Sequence, residues 1–310
     1  MAQRSKNHSR SSRHRGRGRS DRPVPAAPVA LPPSAETSLF GMEVDPEEVR
    51  SNEAASQRLI LQVAGLTAAV VGVPLVVIGL IVAGILGLVV GLVVGLGCGA
   101  LRMARAQREA ERAVARLLQV QVVDPASQPR LANLVDALSA TFGLSRPTIA
   151  TLDDPVPNAC ALVANGSGVL VVTTSLLDQF DLIELEGVLA HEMAHLRRGD
   201  ARRGVLSVWA CGALGPLAKT PTHLHRFVGR GRELRADQIG AASVRYPVAM
   251  AAAMARCEAS EVPSTSFFAG PGYEATRWLW FDPSVARRSA EAQVGDNDAT
   301  SVRRQVLEEW

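Results

Sequence analysis

The chain has 310 residues, enough for one sizeable core and further segments, and its 47% hydrophobic content against 4% aromatic makes the apolar part aliphatic. Its four cysteines (Cys98, Cys160, Cys211, Cys257) stand far apart, which argues against a disulfide framework or a cysteine zinc site and for a reducing compartment. The net charge of +3 hides an asymmetry, because residues 1–22 alone carry +7 and the remainder about −4.

The chain opens with MAQRSKNHSRSSRHRGRGRSDR, which is Arg, Ser and Gly with almost nothing apolar, and continues into the Pro/Ala-rich PVPAAPVALPPSAETS. Neither stretch has the apolar surface to fold alone, and with the acidic residues that follow, disorder is expected to about residue 52. Residues 1–55 are read as a disordered basic arm and linker. The arm has two readings: a solvated tail that fixes membrane orientation, or a binder of nucleic acid or anionic lipid.

From Leu59 to Leu101 the sequence LILQVAGLTAAVVGVPLVVIGLIVAGILGLVVGLVVGLGCGAL carries no charge. At about 1.5 Å rise per residue it is roughly twice what one crossing of a hydrocarbon core needs. It is too long and starts too late for a cleaved signal peptide. Two helices turning near Gly72-Val73-Pro74 account for it, with Gly79, Gly84, Gly87, Gly91 and Gly95 letting them approach closely. The basic arm precedes the run, and RMARAQREAERAVAR follows it with five arginines against two glutamates. Positive charge on both flanks suits a hairpin with both ends in the cytoplasm. Residues 56–102 are thus expected to be a transmembrane helical hairpin and 103–310 a separate domain.

That domain reads as α+β, mainly helical with a small sheet. DPASQPRLANLVDALSATFGL has helical spacing and ends in Gly. RPTIATLDD and NACALVANGSGVLVVTTS predict short strands, the last two joined by an Asn-Gly-Ser-Gly turn. Asp181, with Glu184 three residues on, opens a helix through His195, and Gly199 is placed to end it. GVLSVWACGALGPLA has only about fifteen apolar residues, too few for two crossings, and is read as a core or membrane-surface helix.

On the helix that Asp181 opens stands LAHEMAHLRRGD. His191 and His195 are one turn apart and face the same way. Two imidazoles so placed can bind one Zn²⁺ at about 2.0–2.1 Å each, leaving room for a third protein ligand and water. Glu192, on the adjacent strip, can take a proton from that water without binding metal itself. The metzincin pattern is excluded, because Arg198 and Ala201 stand where it needs Gly and His.

GRELRADQIGAA supplies a third ligand. Glu233 and Asp237 are four apart on a second predicted helix, so Glu233 can bind zinc while Asp237 supports a ligand histidine from behind. Asp200 is the competitor for the third position. A helix continuing from His195 would rotate it by about 500°, some 140° off the ligand face, which favours Glu233. With Arg232 and Arg235 beside them, the bland reading of Glu233 and Asp237 is a solvated helix face.

These residues resemble the membrane-anchored gluzincin peptidases of the HtpX and CAAX-prenyl-protease type. The likeness spans roughly residues 120–292 and includes PNACA, GVLVVTTSLLD, LIELEGVLAHEMAHLRRGD, RELRADQIGAASVRYP and, weakly, FDPSVARR. It implies a zincin-like fold, zinc on His191, His195 and Glu233, Glu192 as general base and Asp237 as supporting acid. Members commonly have Thr-His-Pro where this chain has Phe281-Asp282-Pro283, and Arg288 stands where the arginine after that motif falls.

Weaker candidates remain. His223, His225 or Arg245-Tyr246 are candidate oxyanion donors, each with a solvated residue as its plainer reading. Asn158 to Val163, with Asn158, Ala159 and Cys160 nearest the motif, is a candidate edge strand for an extended substrate. Cys160 itself reads as a small buried side chain. The chain is therefore expected to be a zinc endopeptidase of a bacterial inner membrane, multi-pass and facing the cytoplasm, with one Zn²⁺ per chain, protein or peptide substrates and no nucleic acid. Its rivals are a catalytically silent membrane scaffold of the same fold and a membrane-tethered nucleic-acid binder.

Overall fold

The computed structural model describes residues 44–214, 228, 231–285 and 300–309. The basic arm, the Pro/Ala linker, His223, His225, Arg288 and the end of GVLSVWACGALGPLA lie outside the described residues.

Helix α1 spans Pro46–Leu118. It starts earlier than the expected disorder allows. Asp45 is its N-cap and accepts from Glu47 N, Pro46 stands at the first position, and Glu47 and Glu48 complement the helix dipole in the first turn. What looked like an acidic tail is a helix start.

Within α1 the helical conformation fails at Ala83 and Gly84, dividing it into two arms. Gly84 has φ 59° and ψ −138°, which glycine adopts without a Cβ clash. The expected turn at Gly72-Val73-Pro74 is corrected by about ten residues, since Pro74 sits inside the first arm and Gly72 packs instead of turning. A Cβ on Gly79 would lie 2.4 Å from Gly87 O, and one on Gly72 would lie 3.1 Å from Gly95 Cα. The arms touch through their backbones along this glycine seam. α1 is long and apolar enough to cross a membrane, and its apolar stretch is scarcely buried in the protein.

Strand β1 (Gln121–Val122) leads to helix α2 (Pro129–Phe142), which ends at Gly143 in the left-handed conformation. Strands β2 (Thr148–Leu152), β3 (Ala159–Ala164) and β4 (Ser167–Thr173) follow. The sheet order is β1-β2-β4-β3, mixed in direction: β2 pairs parallel with β4, and β3 pairs antiparallel with β4. β3 and β4 are joined by Asn165-Gly166, both at positive φ. β3 stands last in this order.

Helix α3 (Thr174–Gln179) precedes α4 (Leu182–Arg198), whose Asp181/Glu184 capping box and left-handed Gly199 are both present. Helix α5 (Asp200–Leu214) starts directly after Gly199. Helices α6 (Arg232–Ser243), α7 (Pro247–Ala259), α8 (Pro271–Thr276) and α9 (Thr300–Glu308) follow among the described residues.

Two cores form. One joins α2, α4, α6 and α7 to one face of the sheet through Val188, Leu189, Met193, Ile239 and Met254. The other sets Leu59, Val63, Ala106 and Ala110 of α1 beside Leu206 and Trp209 of α5 and Val171 of the sheet. The near ends of both arms therefore share a core with the rest of the chain. α5 is a core helix through Ala210, with Val205, Leu206 and Ala210 at most 1% exposed, and Gly212 and Ala213 are exposed.

Candidate metal centre

α4 carries His191, Glu192 and His195 into the interior, and α6 crosses it to bring Glu233 and Asp237. Gly240 permits this approach, since a Cβ there would lie 3.0 Å from His191 N. His191, Glu192, His195 and Glu233 are at most 3% exposed.

Five contacts among the histidines and carboxylates define the geometry. Asp237 Oδ1 lies 2.8 Å from His191 Nδ1, and Asp200 Oδ1 lies 2.8 Å from His195 Nδ1. Each carboxylate accepts, so each Nδ1 is the donor and each Nε2 is left with its lone pair. The two Nε2 atoms face each other at 3.0 Å, and Glu233 Oε2 lies 3.2 Å from one and 3.6 Å from the other. One donor atom from each of His191, His195 and Glu233 falls within 4.8 Å of the others. Three electron-pair donors converging in a buried space repel one another, and a divalent cation between them removes that repulsion. The residues present fit zinc, whose preferred ligands are of this kind.

Arginines set the electrostatics, and the sequence reading missed two of them. Arg232, far from a solvated position, is buried and donates Nε to Glu233 Oε1 at 2.7 Å. Burial alone would raise the Glu233 pKa, but Arg232 and the two histidines hold it well below the usual carboxylate range. Arg303, from α9, is fully buried and donates Nε and Nη2 to the two oxygens of Asp237 at 2.6 and 2.8 Å. It outweighs the burial that would otherwise raise the Asp237 pKa. Its Nη1 donates to Phe281 O at 2.7 Å and lies 3.5 Å from Glu233 Oε2. Arg235 is half-exposed and pairs with Glu48 at 3.2 Å.

Asp200 was weighed only as a ligand and set aside. It is instead the partner of His195. Gly199, at φ 73°, ends α4 and turns the chain, so Asp200 starts α5 and folds back on His195. Burial disfavours the charge on His195, yet Asp200 raises its pKa. Glu192 differs from the other carboxylates, because neither of its oxygens has a hydrogen-bond partner among the described residues. Burial pushes its pKa up to about 7.

The FDP segment lies against the site. The Phe281 ring meets His191 edge-on at 5.1 Å, and Phe281 N donates to Ala159 O at 2.8 Å. Cys160 and Trp280 form an antiparallel bridge, and the Asn158 amide exchanges two bonds with the Asp282 backbone at 2.9 and 3.0 Å. The residues expected to meet a substrate strand are thus held by residues 280–282. Asp282 accepts from Thr300 and Ser284. Arg245 and Tyr246 are exposed between α6 and α7, and Cys160 is buried with its thiol pKa raised by that burial.

Residues 125–211 match Peptidase family M48. The match takes in His191, Glu192, His195 and Asp200 and stops before Glu233. The chain is 34% identical over 171 residues to a protein named protease HtpX homolog from Tropheryma whipplei, covering 44% of this chain and 58% of that one. A protease HtpX homolog of Dictyoglomus thermophilum is 37% identical over 117 residues, 37% of this chain and 39% of its own length. One from Acidiphilium cryptum is 29% identical over 180 residues, covering 48% of this chain and 63% of the relative. The chain thus spans about half the length of these relatives. The resemblance to HtpX-type peptidases drawn from the sequence is borne out.

Proposed function

We propose that the chain is a zinc-dependent endopeptidase held at a bacterial inner membrane by the two arms of α1, with its catalytic face toward the cytoplasm. The observation that supports this is the convergence of three buried electron-pair donors beside a buried carboxylate that no hydrogen bond satisfies. In this reading His191, His195 and Glu233 hold one zinc ion, and Asp237 and Asp200 keep the imidazoles turned toward it. Zinc bound there supplies Lewis acidity, acidifying water and polarising the scissile carbonyl.

Glu192 is the base. It takes the proton from the attacking water and returns it to the leaving amine. Burial excludes bulk water and strengthens each of these interactions. A substrate strand adds along β3, where Leu162–Ala164 lie beyond the segment that residues 280–282 engage. The arms of α1 form a hairpin through the bilayer with both ends cytoplasmic, because both flanks are basic.

Glu192→Gln decides between this and a silent scaffold. The variant should keep about one zinc per chain, removable by chelators, and lose peptide hydrolysis by several orders of magnitude. Undiminished cleavage by the Gln variant sinks the mechanism. Wild-type protein that holds no zinc and cleaves nothing points to the scaffold. Membrane proteomes compared between wild type and Glu192→Gln would identify substrates.

A further inference from the structure

The support behind His195 leads out of the site toward the membrane. Asp200 accepts from His195 Nδ1 with one oxygen and from Arg198 Nη1 with the other, at 2.8 and 2.7 Å. Arg198, in the last turn of α4, is buried, and its Nη1 also donates to Arg232 O at 3.1 Å. Its Nε lies 3.5 Å from Glu48 Oε2, in the first turn of α1. Glu48 also takes Arg235 Nε at 3.2 Å, two residues after Glu233 on α6.

Asn52 stands one turn after Glu48 on the same face of α1. It is buried and donates Nδ2 to Arg198 O at 3.2 Å, one of the carbonyls that the end of α4 leaves without a helical partner. α1 therefore meets Arg198 twice, by a 3.5 Å ion pair to its guanidinium and by a hydrogen bond to its backbone.

We infer that the membrane-entering helix is part of the metal-site scaffold: Glu48 and Asn52 hold Arg198, Arg198 holds Asp200, and Asp200 orients His195. The inference rests on the zinc reading above, and all three are positioning residues. Asp200 is 1% exposed, so without Arg198 its second oxygen loses the donor at 2.7 Å, while the charges of Arg232 and Arg203 still act on it. The carboxylate is then free to turn toward those charges and away from His195, which releases the imidazole. Asn52 is only seven residues before Leu59, where the apolar run begins, or roughly 10 Å along the helix. A shift of the arm at the membrane surface is thereby transmitted to one ligand of the pair and not to the other.

The rival is that these contacts only fasten α1 to the rest of the fold. Full-length protein in detergent separates the two, using Arg198→Met, Arg198→Lys, Asn52→Ala and the Glu48→Gln/Asn52→Ala double variant. Co²⁺ affinity, the visible Co²⁺ spectrum at saturation and the melting temperature of metal-free protein are measured for each. Arg198→Met should bind Co²⁺ about tenfold more weakly, the low end for groups that orient a metal ligand, with an altered spectrum. The double variant should lose several-fold, and Arg198→Lys should recover part of the loss. Should Arg198→Met fail to fold, Asn52→Ala and Arg198→Lys carry the test. Unchanged affinity and spectrum with only a lower melting temperature would overturn the inference. If wild type takes up no Co²⁺ at all, the zinc reading falls, and this inference with it.

Discussion

The two histidines are supported by the same chemistry drawn from opposite ends of the chain. Behind His191 stand Asp237 and Arg303, the latter from the last described helix; behind His195 stand Asp200 and Arg198, gripped by the first. The difference lies in what else each arginine touches. Arg303 is fully enclosed, lies near Glu233 and holds the Phe281 carbonyl, whereas Arg198 leads outward to Glu48. One support is sealed into the core and the other is open to outside influence. A site needs both carboxylates, but only one need be adjustable.

The largest effect should come from removing a donor that both supports serve. Glu233→Ala should weaken zinc binding by more than the roughly 10–100-fold typical of an outer support, measured by competition with a chelator. Comparable zinc affinity in Glu233→Ala would mean that the third donor is misassigned.

Arg303→Met should come next. It leaves Asp237 and Glu233 short of a buried counter-charge, at a cost to metal-free stability of about 3–5 kcal/mol. Arg198→Met should cost clearly less, because Glu48 and the edge of the site reach water. Denaturant titration of the two variants tests the asymmetry, and equal losses would erase it.

Glu192 belongs to neither support, and its stability effect has the opposite sign. Its pKa is about 7 folded, against an ordinary 4.5. Between those values the folded state keeps a proton that the unfolded state has lost, so stability falls as pH rises through this window. Metal-free Glu192→Gln should therefore exceed wild type by about 3 kcal/mol above pH 7, with the difference vanishing below pH 4.5. A gain independent of pH would show that packing, not ionisation, is responsible.

The smallest contrast is between the carboxylates themselves. Asp237→Asn and Asp200→Asn should each lower zinc affinity by about 10–100-fold. Isothermal titration would show whether the sealed support loses more than the open one.

Legibility in the sequence followed the distance over which information had to travel. The helix of HEMAH, its cap and its stop were readable because Asp181, Glu184 and Gly199 act within one or two turns. Asp237 was readable for the same reason, lying four residues from Glu233. The pairing of Asp200 with His195 was missed because Asp200 was weighed only as a metal ligand, although the turn at Gly199 that brings it back was itself readable. Arg303 was beyond reach: it meets Asp237 across 66 residues, and no local pattern marks it. The turn of α1 was misplaced because Pro74 drew attention as a breaker, although a helix packed against a glycine seam tolerates it. The helix start at Pro46 was missed because charge pattern was given more weight than the Asp-Pro-Glu-Glu cap.

In the peptidase reading, the bridge between Cys160 and Trp280 bears on which peptides can reach the site. An incoming strand that needs the whole of β3 must first displace residues 280–282 of the same molecule, which are buried and bonded to Asn158 and Ala159. A peptide that pairs only along Leu162–Ala164 has no such displacement to make, so the reach of the substrate along β3 becomes a filter in its own right.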